Sequence, residues 1–355
     1  MYPSILNYRT LMRQVKTFYS FILLIITCLS CSQDDYSNNN VAEQTTDPFT
    51  ISGPHLLYNN EITFYKGVNA MQTFGLVDPG LMNEWKVEIV REFVGNLREQ
   101  PIDSDPIQAS DNKWYHSLQT IVNQNRDNNK ITIICPFGWV DNEGHQILFT
   151  GLNPSSQYFY ADYKTKMKEI AEHFKDQPDV WIEVWNEPYH WNNENNYTHN
   201  LWLSDMTDMV ENLRQVPGFR NIVIVPGNEQ GQSEEAILAK GNTLIEDKFN
   251  VLFDLHAYEK WLVNTTESQI ISRLNNLKEN DIPFFIGEIG VKNVGDIMPI
   301  QNFLNAVNSE QVSTLAWLWN QNSNYSNALL TNDGLPNSNF NNNYWGLTYK
   351  EFLDD

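Results

Sequence analysis

The feature that most constrains the fold is a regular alternation of short apolar runs with amphipathic helical stretches, repeated eight times between residues 62 and 353. The runs expected as strands are 62–69, 94–98, 131–135, 180–185, 221–225, 251–255, 283–287 and 314–319. Helical spacing starts at Asp78-Pro79 and continues through Leu81, Trp85, Ile89 and Val90. It returns over 114–125 and 160–174, through Trp202, Met206 and Met209, near 234–239, 267–278 and 300–307, and over 344–353. Short, mostly apolar runs suit strands buried on both faces, and spacings of three and four residues suit helices with one apolar side. Strands alternating with helices imply right-handed crossovers and a parallel sheet. Eight units in about three hundred residues is the count of an α/β (β/α)8 TIM barrel, a single domain over 48–355. A doubly wound open sheet would need a Gly-rich phosphate turn after its first strand, and Gly67-Val68-Asn69-Ala70 does not supply one. A short hairpin over 49–58, with Gly53-Pro54, is placed to close the bottom of the barrel.

Two of the runs end in the same way. Val180-Trp181-Ile182-Glu183-Val184-Trp185 stops at Asn186-Glu187-Pro188, where proline ends any ladder and pushes Glu187 out of helical geometry. Pro283-Phe284-Phe285-Ile286 stops at Gly287-Glu288-Ile289-Gly290. A carboxylate at the end of a buried strand is costly without a role. Two of them at one end of one sheet form the acid pair that glycoside hydrolysis requires: a proton donor and a nucleophile or base.

The active site of such a barrel lies at the carboxyl ends of its strands. The expected strands present there Asn69, Arg98, the turn Pro136-Phe137-Gly138-Trp139, Asn186-Glu187, Asn228, His256-Ala257-Tyr258, Glu288 and Trp319. Trp139 and Trp191, in the loops after strands three and four, are candidate sugar platforms; Trp317 reads as barrel packing. No His-rich cluster has metal-ligand spacing, so no metal or cofactor is expected, and no Gly-X-Ser-X-Gly elbow points to a serine hydrolase.

Residues 1–30 read as a secretory leader: Arg9, Arg13 and Lys16 precede an apolar run over 18–29 that is short for a membrane span. Thr27-Cys28-Leu29-Ser30-Cys31 followed by Ser32-Gln33-Asp34-Asp35 resembles the relaxed lipobox of Bacteroidetes surface lipoproteins. That resemblance implies lipidation at Cys31, a tether over 31–47 and display on the outer membrane or cell surface, with the membrane engaged through the lipid anchor only. Cys135 would then be the one free thiol, a core residue. Acids outnumber bases 44 to 23, for a net charge of −21. This argues against nucleic acid or an anionic polysaccharide as partner, whereas a neutral polymer meets no such penalty; a monomer is expected.

Trp185-Asn186-Glu187-Pro188, His256-Ala257-Tyr258, Ile286-Gly287-Glu288, Trp319 and Lys66-Gly67-Val68-Asn69, in that setting, resemble glycoside hydrolase family 5, of the clan of (β/α)8 retaining glycosidases. The resemblance implies Glu187 as acid/base and Glu288 as nucleophile. It implies Arg98 as the family's arginine holding the nucleophile's charge, Tyr258 as a donor to the nucleophile, Asn186 on the sugar 2-hydroxyl and Trp319 under the reacting sugar. His256 and Asn69 complete the expected binding set. One departure stands out: many members carry a His at the end of the third strand, where this chain has Cys135-Pro136-Phe137-Gly138-Trp139, with His145 in the loop beyond. The implied activity is a retaining endo-β-glycanase, mannanase-like or cellulase-like. The alternatives are an exo-acting glycosidase or transglycosylase of the clan, and a surface glycan-binding protein on an inactive barrel.

Overall fold

The computed structural model describes residues 47–104, 106–338 and 344–355. The leader, Cys31 and all of the tether but Asp47 lie outside the described residues. Eight parallel strands close into a barrel: β1 (Lys66–Ala70), β2 (Ile89–Val94), β3 (Ile131–Pro136), β4 (Val180–Glu183), β5 (Val223–Pro226), β6 (Val251–Ala257), β7 (Phe284–Ile289) and β8 (Thr314–Ala316). The ladder runs in sequence order, and β8 pairs back onto β1 through Leu315 and Gly67. The outer ring consists of α1 (Pro79–Glu84), α2 (Leu118–Asp127), α3 (Tyr160–Phe174), α4 (His199–Arg214), α5 (Glu235–Ile245), α6 (Glu267–Glu279), α7 (Gln301–Ser309) and α8 (Trp345–Asp354). Among the described residues no helix is long and apolar enough to cross a membrane.

Local sequence explains where the helices begin. Asp78 accepts from the Gly80 N–H with Pro79 at the first helical position, and Ser117, Thr198 and Thr266 accept from backbone N–H groups of the first turns of α2, α4 and α6. Thr266 and Gln269 form a reciprocal capping box. Alternation along the strands sorts side chains between two cores. Val68, Val90, Ile134, Val223 and Phe253 face the helices. Ile89, Ile133, Trp181, Ile224, Leu252, Phe285 and Leu315 fill the barrel interior. The antiparallel strands Phe49–Ser52 and His55–Tyr58 cap that interior from below, with Phe49 edge-on to Trp181 at 5.6 Å. This is the expected bottom hairpin.

The second strand differs from expectation. The helix α1 ends after six residues and Lys86 takes a φ of +55°, so Ile89 and Val90 belong to β2 rather than to a longer helix. Trp85 and Ile89 kept a helical spacing with Leu81 only by coincidence of turn and strand. The strand is over before Arg98. At the other end of the barrel, β8 stops at Ala316, three residues short of Trp319.

Candidate active site

Because Ile89 points into the barrel, Arg91, two residues on, points inward as well, into a polar layer above the apolar one. Its side chain is fully buried and all five N–H donors are used. Nε and Nη2 form a two-pronged bond to Glu183 of β4 at 2.6 and 2.8 Å. Nη1 donates to Asn69 Oδ1 at 3.0 Å and to Glu288 Oε1 at 2.8 Å, and Nη2 donates to Asn186 Oδ1 at 3.0 Å. Asn69 is itself held by the carbonyls of Gly287 and Ala316. One guanidinium thus ties β1, β2, β4 and β7 together with charge-assisted bonds. Burial pushes the Glu183 carboxyl up to about 7, against the pull of Arg91.

Asp254 of β6 is the second buried acid of this layer. Its Oδ1 accepts the Gly287 N–H at 2.7 Å, where the pairing of β6 with β7 passes from Leu255–Ile286 to His256–Glu288 and skips Gly287. The side chain takes the place of a ladder acceptor at a bulge, and the bulge turns Glu288 into the barrel mouth beside His256. A Cβ on Gly287 would lie 2.2 Å from Asp254 Oδ1, so only glycine fits there.

Above this layer stand the two expected carboxylates. His256 bridges the sites: Nδ1 lies 3.0 Å from Glu187 Oε1, Nε2 lies 3.2 Å from Asp254 Oδ2, and Glu288 Oε1 is 3.6 Å from Nε2. Burial opposes charging the ring, but Glu288 and Asp254 outweigh it, and His256 titrates well above an ordinary histidine. Both its nitrogens therefore act as donors. Glu288 is nearly buried; burial and the neighbouring Glu187 raise its carboxyl, while His256, Arg91 and the Tyr258 hydroxyl, which donates to Oε2 at 2.9 Å, oppose that rise. Burial followed by the Glu288 charge keeps the Tyr258 phenol protonated, as a donor must be. One oxygen of Glu187 and one of Glu288 lie within 4.8 Å of each other.

Two triads, Glu183 with Asp254 and His256, and Glu187 with His256 and Glu288, bring potential metal-ligating atoms together. Arg91 and the His256 imidazolium already supply positive charge to both, so a cation would meet like charges there.

The carboxylates open into a cleft of about 480 Å³, whose walls include Phe137, Thr150, Asn186, Tyr258, Trp317, Asn293 and Tyr325. Several expectations change here. Arg98 is not the arginine beside Glu288; it lies in the loop after β2, bonded to Asn142 and Ser110, and Arg91 holds that place. Trp319 does not form the floor: it is buried and packs edge-on against Trp85 at 5.2 Å, while Trp317, expected as packing, is part-exposed in the cleft wall and bonded to Tyr325. With β8 ending at Ala316, both indoles lie beyond the strand, and its alternation does not set the direction of either. Trp139 is buried in a stack with Phe159 at 5.1 Å, so it offers no face to a sugar. Asn69 and His256 are fully buried and act on Arg91 and Glu187 rather than lining the cleft. Trp191 is part-buried in its turn, with the Lys260 ammonium 5.2 Å over its ring. Asn186 sits in the wall with Oδ1 engaged and Nδ2 buried without a partner among the described residues. His145 is exposed and pairs with Asp141, away from the cleft walls. Cys135 is buried beside Asn186, as expected of a core thiol.

The exchange of Arg98 for Arg91 has a measurable consequence. Arg91→Met would leave Glu183 and Asp254 buried without their cation, and should destabilise the fold by about 3–5 kcal/mol. Arg98→Met should stay within about 0.5 kcal/mol, as is usual for surface positions. Urea melts of the two variants check this; equal losses would remove Arg91 from the centre of the network.

A sequence model of the cellulase family (glycosyl hydrolase family 5) matches residues 78–323. No curated protein sequence matches the chain. Among solved structures, the chain is similar to the catalytic domain of a mannanase from Streptomyces sp. SirexAA-E, with a TM-score of 0.66 and 18% identity over 89% of this chain and 95% of that one. It is similar to the catalytic domain of an endoglucanase from Thermobifida fusca, with a TM-score of 0.62 and 16% identity over 87% and 97%. It is also similar to the mannohexaose complex of a β-mannanase from Thermomonospora fusca, with a TM-score of 0.60 and 16% identity over 84% and 96%. At these identities the structural likeness speaks to the barrel alone.

Proposed function

The chain belongs to glycosyl hydrolase family 5, and from that membership we propose that this glycoside hydrolase is a retaining endo-β-glycanase acting on a neutral β-linked polysaccharide of the β-mannan or β-1,4-glucan type. The observation that carries the mechanism is the nearest approach of Glu187 and Glu288, with one oxygen of each within 4.8 Å, a contact that suits the shorter of the two carboxyl spacings. Retaining enzymes hold their carboxyl groups about 5–5.5 Å apart, whereas inverting ones need roughly 6.5–9.5 Å to admit a water. Glu288, braced by Arg91 and Tyr258, attacks the anomeric carbon. Glu187 protonates the departing oxygen and then, as a base, activates the water that releases the sugar. The unpartnered Nδ2 of Asn186 is available to the 2-hydroxyl, an interaction that strengthens in the transition state. Trp317 supplies the aromatic wall. Mannanases and an endoglucanase among the similar structures support both backbone classes.

A panel of soluble mannans and glucans, read by product size and by proton NMR of the first anomer released, tests this reading. We expect short oligosaccharides of mixed length, each first appearing as the β-anomer. An α-anomer would refute double displacement; release of one fixed small sugar would indicate exo action; binding without new reducing ends would indicate an inactive glycan-binding barrel.

Anchoring through Cys31 at the cell surface is the second part of the proposal, supported by the lipobox-like sequence and its acidic flank. Cys31→Ala should move the protein from the membrane fraction to the soluble one with unchanged specific activity, and retention in the membrane would remove the anchor.

A further inference from the structure

The residue after the aromatic stack of the β3 loop touches the acid/base, and nothing in the mechanism above uses it. Phe149 stacks on Trp185 at 4.1 Å, and the Trp185 indole donates to the Phe149 carbonyl at 2.8 Å. This fixes the next residue, Thr150, alongside Glu187: the two form a β-bridge, and the Gly151 N–H donates to the Glu187 carbonyl at 2.7 Å. The Thr150 hydroxyl, part-buried in the cleft wall, lies 2.9 Å from Glu187 Oε2. The other oxygen, Oε1, faces His256 Nδ1 at 3.0 Å, and His256 is in turn held by Asp254 at 3.2 Å.

The two oxygens of Glu187 are therefore not equivalent. A histidine with a carboxylate at each nitrogen donates at both, so Oε1 is occupied by an N–H throughout the cycle and cannot carry the mobile proton. A threonine hydroxyl both donates and accepts. We infer that Oε2 carries the transferable proton and that Thr150 is a positioning residue for it. This deepens the proposed function and rests on the assignment of Glu187 as acid/base. When Glu187 is neutral, its Oε2–H points to the glycosidic oxygen and the Thr150 hydroxyl holds the carboxyl plane. As the C–O bond breaks, that proton passes to the leaving oxygen, Oε2 becomes anionic, and the Thr150 O–H turns to donate to it. The incoming water then returns a proton to Oε2 as its oxygen bonds to the anomeric carbon and the bond from that carbon to Glu288 breaks, freeing the Glu288 carboxylate.

The test compares Thr150→Val, which keeps the shape and removes the hydroxyl, with Thr150→Ser, which keeps the hydroxyl, and with Glu187→Ala as reference. The value kcat/KM reports steps up to glycosylation alone. With an oligosaccharide substrate, whose leaving sugar needs a proton, Thr150→Val should lose about tenfold or more, the usual effect of removing a hydrogen bond to a developing charge. With a dinitrophenyl glycoside, whose leaving group needs none, the same variant should stay within about twofold, and Thr150→Ser should restore most of the activity on the oligosaccharide. Equal losses on both substrates, or no loss on the oligosaccharide, would overturn the role of Thr150 while leaving the acid/base standing. A Glu187→Ala variant with full oligosaccharide activity would instead overturn the assignment on which the inference rests.

Discussion

Glu288→Gln should yield a folded barrel whose turnover of polysaccharide falls by about 10⁵-fold or more, the scale seen when a covalent nucleophile is removed. The amide keeps the volume of the carboxylate and can bond the same neighbours once the Tyr258 hydroxyl turns from donor to acceptor. Its oxygen can accept from Arg91 Nη1, now at 2.8 Å from Oε1, and its NH2 group can donate to the Tyr258 oxygen, now at 2.9 Å from Oε2. What is lost is the negative charge that makes the oxygen a nucleophile toward carbon. Stability should move the other way. Burial holds the Glu288 carboxyl above its ordinary range, so the folded state binds that proton more tightly than the unfolded chain does. Stability from this group is present at low pH and lost as pH rises through the raised folded value. At neutral pH the uncharged amide escapes that loss, and the thermal midpoint of the variant should equal or exceed the parent's, a trade of stability for function common at active sites. A melt run beside the assay checks both parts. An active variant would remove Glu288 as nucleophile; an inactive but strongly destabilised one would show that the carboxylate is needed by the fold itself.

How much of this site was legible in the sequence depends on what each residue's neighbours look like in one dimension. Glu187 and Glu288 stood out because each interrupts an apolar strand at its end, with Pro188 in one case and Gly287 and Gly290 in the other marking the break. Arg91, inside a strand rather than at its end, was missed, because Glu92 follows it and a charged pair reads as a solvated helix face. In the barrel both are buried, on opposite sides of β2: Arg91 faces the interior layer, and Glu92 accepts from the Thr73 N–H outside it. The signal was a charged residue two positions after Ile89 in a run that continues as Phe93-Val94. Glu183, four residues before Glu187 and on the inner face of β4, carried a similar signal. The two indoles after β8 were ranked in the wrong order, Trp319 before Trp317, since the choice between them depends on where the strand stops. Thr150 had no local signature at all: its partner is 37 residues away and the ladder joining them forms only when the β3 and β4 loops fold together. Barrel topology was readable from periodicity because it is repeated eight times, so one misplaced strand did not alter the count.

Glu187→Ala should separate the two halves of the reaction. On polysaccharide the loss should be about 10²–10⁴-fold, the worth of a positioned general acid, because a sugar alkoxide cannot leave unprotonated. A dinitrophenyl glycoside should still glycosylate Glu288, since its leaving group departs as an anion. The intermediate would then wait, with no base to activate water, and a burst of dinitrophenolate followed by a slow steady state should appear. The structure suggests why a small anion should relieve that block. Removing the carboxylate leaves a space bordered by His256 Nδ1 and the Thr150 hydroxyl, the two donors that held Glu187 at 3.0 and 2.9 Å. Asp254 still holds the other side of the ring, so the imidazolium keeps its N–H directed at the gap. Azide placed there meets a positive donor and lies on the face of the sugar opposite Glu288, positioned to attack without deprotonation. The expected product is a glycosyl azide of the substrate's own β configuration, identified by NMR, with the steady-state rate rising with azide concentration. An α-linked azide would mean that no covalent intermediate had formed, and no rescue together with full activity on polysaccharide would remove Glu187 from the chemistry.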